Sequence, residues 1–65
     1  METAPTEWEL LAEAHRLRRE HGDKVLYFVA DQIGESLLAG DEHGVRHWRA
    51  VEDVLRKLRR GGSLH

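Results

Sequence analysis

Two glycine–aspartate steps, Gly22-Asp23 and Gly40-Asp41, do most to limit what this chain can fold into. Glycine accepts the left-handed conformation that closes a helix, and aspartate is among the best residues for capping the start of the next one. Each step therefore reads as one helix ending and another beginning. The two steps divide the chain into three stretches, with helices expected at about 7–20, 24–39 and 42–60. The expected fold class is all-α, a three-helix up-down-up bundle. It forms a single small domain over residues 1–65, with 1–5 and 61–65 as flexible termini.

The first stretch opens with Thr6 and has Glu9 three residues later, the spacing of a capping box in which each side chain satisfies a backbone N–H of the helix start. At about 100° per residue, Trp8, Leu10, Leu11, Ala12, Ala14 and Leu17 share one broad arc. Glu9, Glu13, Arg16 and Glu20 oppose them. Arg16 should offset the Glu9–Glu13 repulsion.

The second stretch takes Asp23 as its cap. "KVLYFVA" has the β-branched and aromatic content of a buried strand, but Val25, Val29 and Ile33 continue at helical spacing beyond strand length, and "DQIGESLLAG" reads as helix and C-cap. This helix is apolar nearly all round. Val25, Leu26, Val29, Ala30, Ile33 and Leu37 form its main face, with Tyr27, Phe28 and Leu38 outside it and only Lys24, Asp31 and Glu35 as a polar stripe. The third helix places Val45, Trp48, Val51, Val54, Leu55 and Leu58 on one side and Arg46, Arg49, Asp53, Arg56, Lys57 and Arg60 on the other.

In this frame Val25, Val29 and Ile33 are the expected centre of the core, ringed by Leu11, Val51, Val54 and Leu55. Trp8 and Trp48 are expected at one end, near Leu37 and the Gly40 corner. Gly34 and Gly44 cost helix stability, so each suggests close approach of another backbone.

A chain of 65 residues buries a modest fraction of its surface, and it has no cysteine, so neither a disulfide nor a thiolate metal site can reinforce it. Two flanking helices are too few to cover the second helix on every side. Tyr27, Phe28 and Leu38 are therefore the expected interface residues of a protein–protein interaction module. Self-association, as a homodimer or larger homo-oligomer, is the leading expectation.

Charge supplies an alternative. Residues 1–42 carry four basic and ten acidic side chains, and residues 43–65 carry six basic and two acidic. Arg46, Arg49, Arg56, Lys57 and Arg60 offer a basic face for a nucleic-acid-associated regulator. A second alternative lies in "HGVRH", where His43 and His47 stand four residues apart on one helical face, a spacing that binds metal when a third ligand is near. His15 of the first helix, Asp41 and Glu42 are the candidates. The bland reading puts His47 at the core edge and His43 near the cap.

No catalytic activity and no cofactor are expected. Ser36 falls on a buried helical face and Ser63 in the tail, and no spacing suggests a base and an orienting group for either. The glycines mark helix ends rather than a phosphate loop. No apolar run reaches membrane-spanning length, so no membrane association is expected, and the acidic "METAPTEWEL" start lacks a signal-peptide core, which points to the cytoplasm.

The span "HGDKVLYFVADQIGESLLAGDEHGVRHW", from His21 to Trp48, resembles a family of very short, uncharacterised bacterial helical proteins, a domain of unknown function. The likeness lies in His-Gly at the first corner, "IG" within the second helix, "AGD" with a later glycine at the second corner, and a tryptophan soon after. At its widest it covers Trp8 to Leu58. It implies a small helical fold and a bacterial cytoplasmic setting, and it transfers no catalytic or binding residue.

Overall fold

The computed structural model describes residues 6–61, and of the termini expected to be flexible, 1–5 and 61–65, all but Gly61 lie outside the described residues. The described residues are all-helical, with no strand. Helix α1 spans Glu7–His21, a short 3-10 turn spans Gly22–Lys24, α2 spans Val25–Ala39 and α3 spans Glu42–Gly61. α3 thus continues into the glycine expected to start the tail.

Each boundary has a local cause. The Thr6 capping box forms in full: the Thr6 hydroxyl accepts from the Glu9 N–H at 3.1 Å and the Glu9 carboxylate accepts from the Thr6 N–H at 2.9 Å. Glu9 is thereby occupied, and Arg16 pairs instead with Glu20 at 3.0 Å and Glu13 at 3.5 Å. At the first corner the chain tightens rather than extends. Gly22 has φ +61°, and the Val25 N–H bonds the Gly22 carbonyl. A cap must lie in the extended region to aim its side chain at the N–H groups that follow. The tight turn denies this to Asp23, so Asp23 is not the cap, and α2 starts at Val25 with no side-chain cap.

The second corner is more tightly built. Gly40 is left-handed at φ +71°, its N–H bonds the Leu37 carbonyl at 3.1 Å, and the Asp41 N–H bonds the Ser36 carbonyl at 2.9 Å. This double closure satisfies the last carbonyls of α2. Asp41 then opens α3, its Oδ1 accepting from the Gly44 N–H at 2.9 Å.

The core is a single layer. Each helix contributes two buried residues about one turn apart: Ala14 and Leu17, Val25 and Val29, Val51 and Leu55. Leu10, Leu26, Phe28, Ile33, Trp48, Val54 and Leu58 pack around it, partly buried. Ile33 and Val54 therefore border the core rather than fill it, and Leu11, expected beside them, is half-buried and not among the residues packed on it. The largest fully buried side chains are only two valines, Val29 and Val51.

All three helix pairs touch, α2 with α3 most extensively and α1 with α2 least. The buried residues of α1 lie in its second half, so its first turns leave α2 uncovered. This explains three departures from the expected core. Leu37 is 58% exposed, Ala30 is exposed, and Trp8 is 75% exposed. Nor do the two tryptophans share an end. Trp48 meets Phe28 edge-on at 5.8 Å, whereas Trp8 lies on the α1–α3 side with Val54 and Leu58.

The two helical glycines also differ from expectation. A Cβ on Gly34 would meet nothing within 4 Å in this chain. One on Gly44 would meet side chains rather than a backbone: Asp41 Oδ2 at 2.5 Å and Ser36 Oγ at 2.7 Å. The Asp41 carboxylate that caps α3 occupies that space.

Candidate interaction surface

Tyr27 and Leu38 are eleven residues apart, about three helical turns, so they lie on one stripe of α2. Tyr27 is 75% exposed and Leu38 is 91% exposed. Between them lie the exposed Ala30 and Asp31 and the half-buried Gly34, and Leu37 adjoins Leu38. The result is an apolar ribbon about 16 Å long, by the rise of about 1.5 Å per residue, with one carboxylate at its centre. Tyr27 and Leu38 stand clear of both other helices, while Leu37 borders the second corner beside Val45 and Arg46 of α3.

Phe28, expected beside Tyr27 and Leu38, does not belong to this ribbon. It follows the buried Val25 by three residues and so borders the core stripe. Its ring stacks on His21 with centroids 4.0 Å apart and meets Trp48 edge-on. Phe28 thus joins the end of α1 to α3. Sequence reading missed Leu37 because periodicity placed it on the main face. The signal that it would be exposed was the absence of chain to cover the end of α2.

A second apolar surface lies between α1 and α3. Trp8, Leu11, Val54 and Leu58 line a groove of about 730 Å³, with Glu7 beside Trp8 and Arg18 and Lys57 also on its rim. The sequence placed Trp8 on the apolar arc of α1, but only the divergence of the helices exposes it.

The expected basic face is broken up by acids. Arg56 pairs with Glu52 at 3.1 Å and Lys57 with Asp53 at 3.3 Å, both along α3. Arg46 lines the second corner beside Asp41 and Glu42. Arg49 is exposed. Arg56, Arg59 and Arg60 line a small recess at the end of α3, and Arg18 joins Arg59 beside the first corner. Arg18 and Arg59 come together from helices far apart in the sequence, which composition alone does not show.

The histidines do not converge on a third ligand. Half-buried His47 places Nε2 3.3 Å from Glu13 Oε1, so α1 brings Glu13 to it, while His15 and His43 are exposed. No group of three or more histidine, aspartate or glutamate side chains is placed to hold a metal among the described residues. No helix among them is long and apolar enough to cross a membrane.

The family model for a family of unknown function, DUF6961, matches residues 6–61. The chain belongs to the DUF6961 family. The matched span begins at the Thr6 cap and ends at the last residue of α3, so it takes in the whole helical unit, both corners and both apolar surfaces. No curated protein and no solved structure matches the chain. For this DUF6961 member, functional argument rests on its own surfaces.

Proposed function

We propose that this DUF6961 protein is a small protein–protein interaction module that self-associates and has no catalytic activity, its helices forming an up-down-up bundle. The Tyr27–Leu37–Leu38 ribbon of α2 carries this reading. Two leucines and a tyrosine stand out beside a core that, among the described residues, buries only Ala14, Leu17, Val25, Val29, Val51 and Leu55. Contiguous exposed apolar surface of this kind marks interaction sites. The bundle is supported by contact between every helix pair and by a core to which each helix contributes equally. The reading without catalysis rests on the sequence, which offers no cysteine and no serine with an evident base.

The test is solution mass by light scattering across a wide concentration range, on wild type and Leu38→Glu. At an exposed position this substitution should change folding stability by about 0.5 kcal/mol or less, so helicity should persist while the mean mass falls. An unchanged mass would refute the ribbon as the contact.

A second reading is nucleic-acid association through the end of α3, favoured by the recess that Arg56, Arg59 and Arg60 share. Fluorescence anisotropy with an oligonucleotide should then show binding at low salt that falls steeply as salt rises. Absence of binding at low salt would end this reading. Metal binding through His43 and His47 has less support, since no third histidine, aspartate or glutamate among the described residues is placed to hold an ion with them.

A further inference from the structure

We infer that the α1–α3 groove is a second contact between copies of this chain, formed around a two-fold axis. This shares with the preceding reading the premise that the chain self-associates, but it uses a different surface.

A two-fold contact places the same patch on both partners, so the patch must be complementary to itself. The groove meets that condition. Along α1, Glu7 lines it at one end and Arg18 at the other, with apolar Leu11 between, and Val54 lines it from α3. Along α1 the two charged residues are eleven positions apart, about 16 Å. A two-fold axis crossing the groove near Leu11 reverses this order in the partner. Glu7 of each copy then faces Arg18 of the other. Trp8, next to Glu7, comes over the Arg18 end of the opposite groove, where its ring covers the aliphatic stem of Arg18 and offers its face to the guanidinium.

The groups involved are available. The Glu7 and Arg18 side chains make no hydrogen bond or ion pair among the described residues. Trp8 is the largest exposed apolar side chain at the groove and covers little within its own chain. A parallel arrangement would set Glu7 against Glu7 and Arg18 against Arg18, so charge selects the antiparallel one.

The experiment is solution mass by light scattering on wild type, Leu38→Glu, Glu7→Arg, Arg18→Glu, the Glu7→Arg/Arg18→Glu double variant and Trp8→Gln, with circular dichroism to verify helicity. The expected result is that Leu38→Glu lowers the mass but still leaves a dimer. Each single charge reversal should weaken association at least tenfold. The double variant should recover it, because in a two-fold contact the exchanged charges face each other again. If charge reversal unfolds α1, Trp8→Gln decides, since an exposed side chain can change without loss of fold; it should weaken association as the charge reversals do.

Single variants and Trp8→Gln with wild-type mass would overturn the groove contact, while a monomeric Leu38→Glu would leave the ribbon reading standing. Loss in the single variants without recovery in the double would overturn the Glu7–Arg18 pairing. A wild type that is monomeric at every concentration would overturn both surfaces as contacts between copies.

Discussion

Gly34 and Gly44 both sit inside helices, yet replacing each with alanine should have different consequences. Alanine in place of a helical glycine gains about 0.5–1 kcal/mol, because it restricts the unfolded chain and has the better helix propensity. At Gly34 the added methyl meets nothing within 4 Å, so the gain is realised in full. For a chain of this size it should raise Tm by roughly 2–8 °C. At Gly44 the methyl would stand 2.5 Å from Asp41 Oδ2 and 2.7 Å from Ser36 Oγ. The carboxylate must swing away, breaking its 2.9 Å bond to the residue 44 N–H. Losing an N-cap costs about 0.5–2 kcal/mol, so Gly44→Ala should be neutral or destabilising, and the two variants should differ by about 1 kcal/mol or more. Thermal melts by circular dichroism provide the assay. They should be run at low protein concentration, because Gly34 lies on the proposed α2 contact. In an Asp41→Ala background the cap is already absent, and Gly44→Ala should then be neutral or stabilising. Equal stabilisation by both glycine replacements in the wild-type background would refute the argument that the capping carboxylate excludes a side chain at position 44.

Further outcomes follow from the corners and the core. Gly40→Ala should lose about 1–2 kcal/mol in urea unfolding, because φ +71° strains a residue with a Cβ; a loss no larger than at ordinary surface sites would contradict the left-handed assignment. Leu55, 3% exposed, should cost about 2–5 kcal/mol on replacement by alanine. That is much of the roughly 3–10 kcal/mol expected for a domain of this length, so the urea midpoint should fall sharply. Thr6→Ala should cost about 0.5–2 kcal/mol and speed amide exchange in the first turn of α1. Added zinc should leave Tm unchanged; a rise that grows with zinc concentration would show that His43 and His47 bind it after all.

Much of this fold was legible in the sequence because its determinants are local. The Thr6–Glu9 box, the left-handed Gly40 and the Asp41 cap depend on a few adjacent residues, and the structure forms all three. The same local signs failed at Asp23, because a glycine–aspartate pair does not reveal whether the chain extends or tightens into a 3-10 turn. Positions with helical periodicity also misled wherever exposure depended on how the helices diverge. Trp8 and Leu37 lie on apolar arcs and remain exposed because α1 meets α2 only sparingly. Phe28 failed in the opposite sense, drawn inward by His21 and Trp48. Of the interaction surfaces, the ribbon was partly readable from surplus apolar residues. The groove was not, since its residues come from helices that are far apart in sequence.

Asp41 closes α2 through its N–H and opens α3 through its carboxylate, so the two helices meet with no slack between them. Forming either helix end sets the start of the other, which lowers the entropic cost of bringing the pair together. Helices α2 and α3 also share the most extensive contact in the molecule. The helical hairpin they make is thus the natural first unit to assemble and the last to open. α1 joins through a corner without a side-chain cap and through sparse contact with α2. Under native conditions its amides should exchange by detachment of α1 alone, while those of the hairpin wait for the whole molecule to unfold.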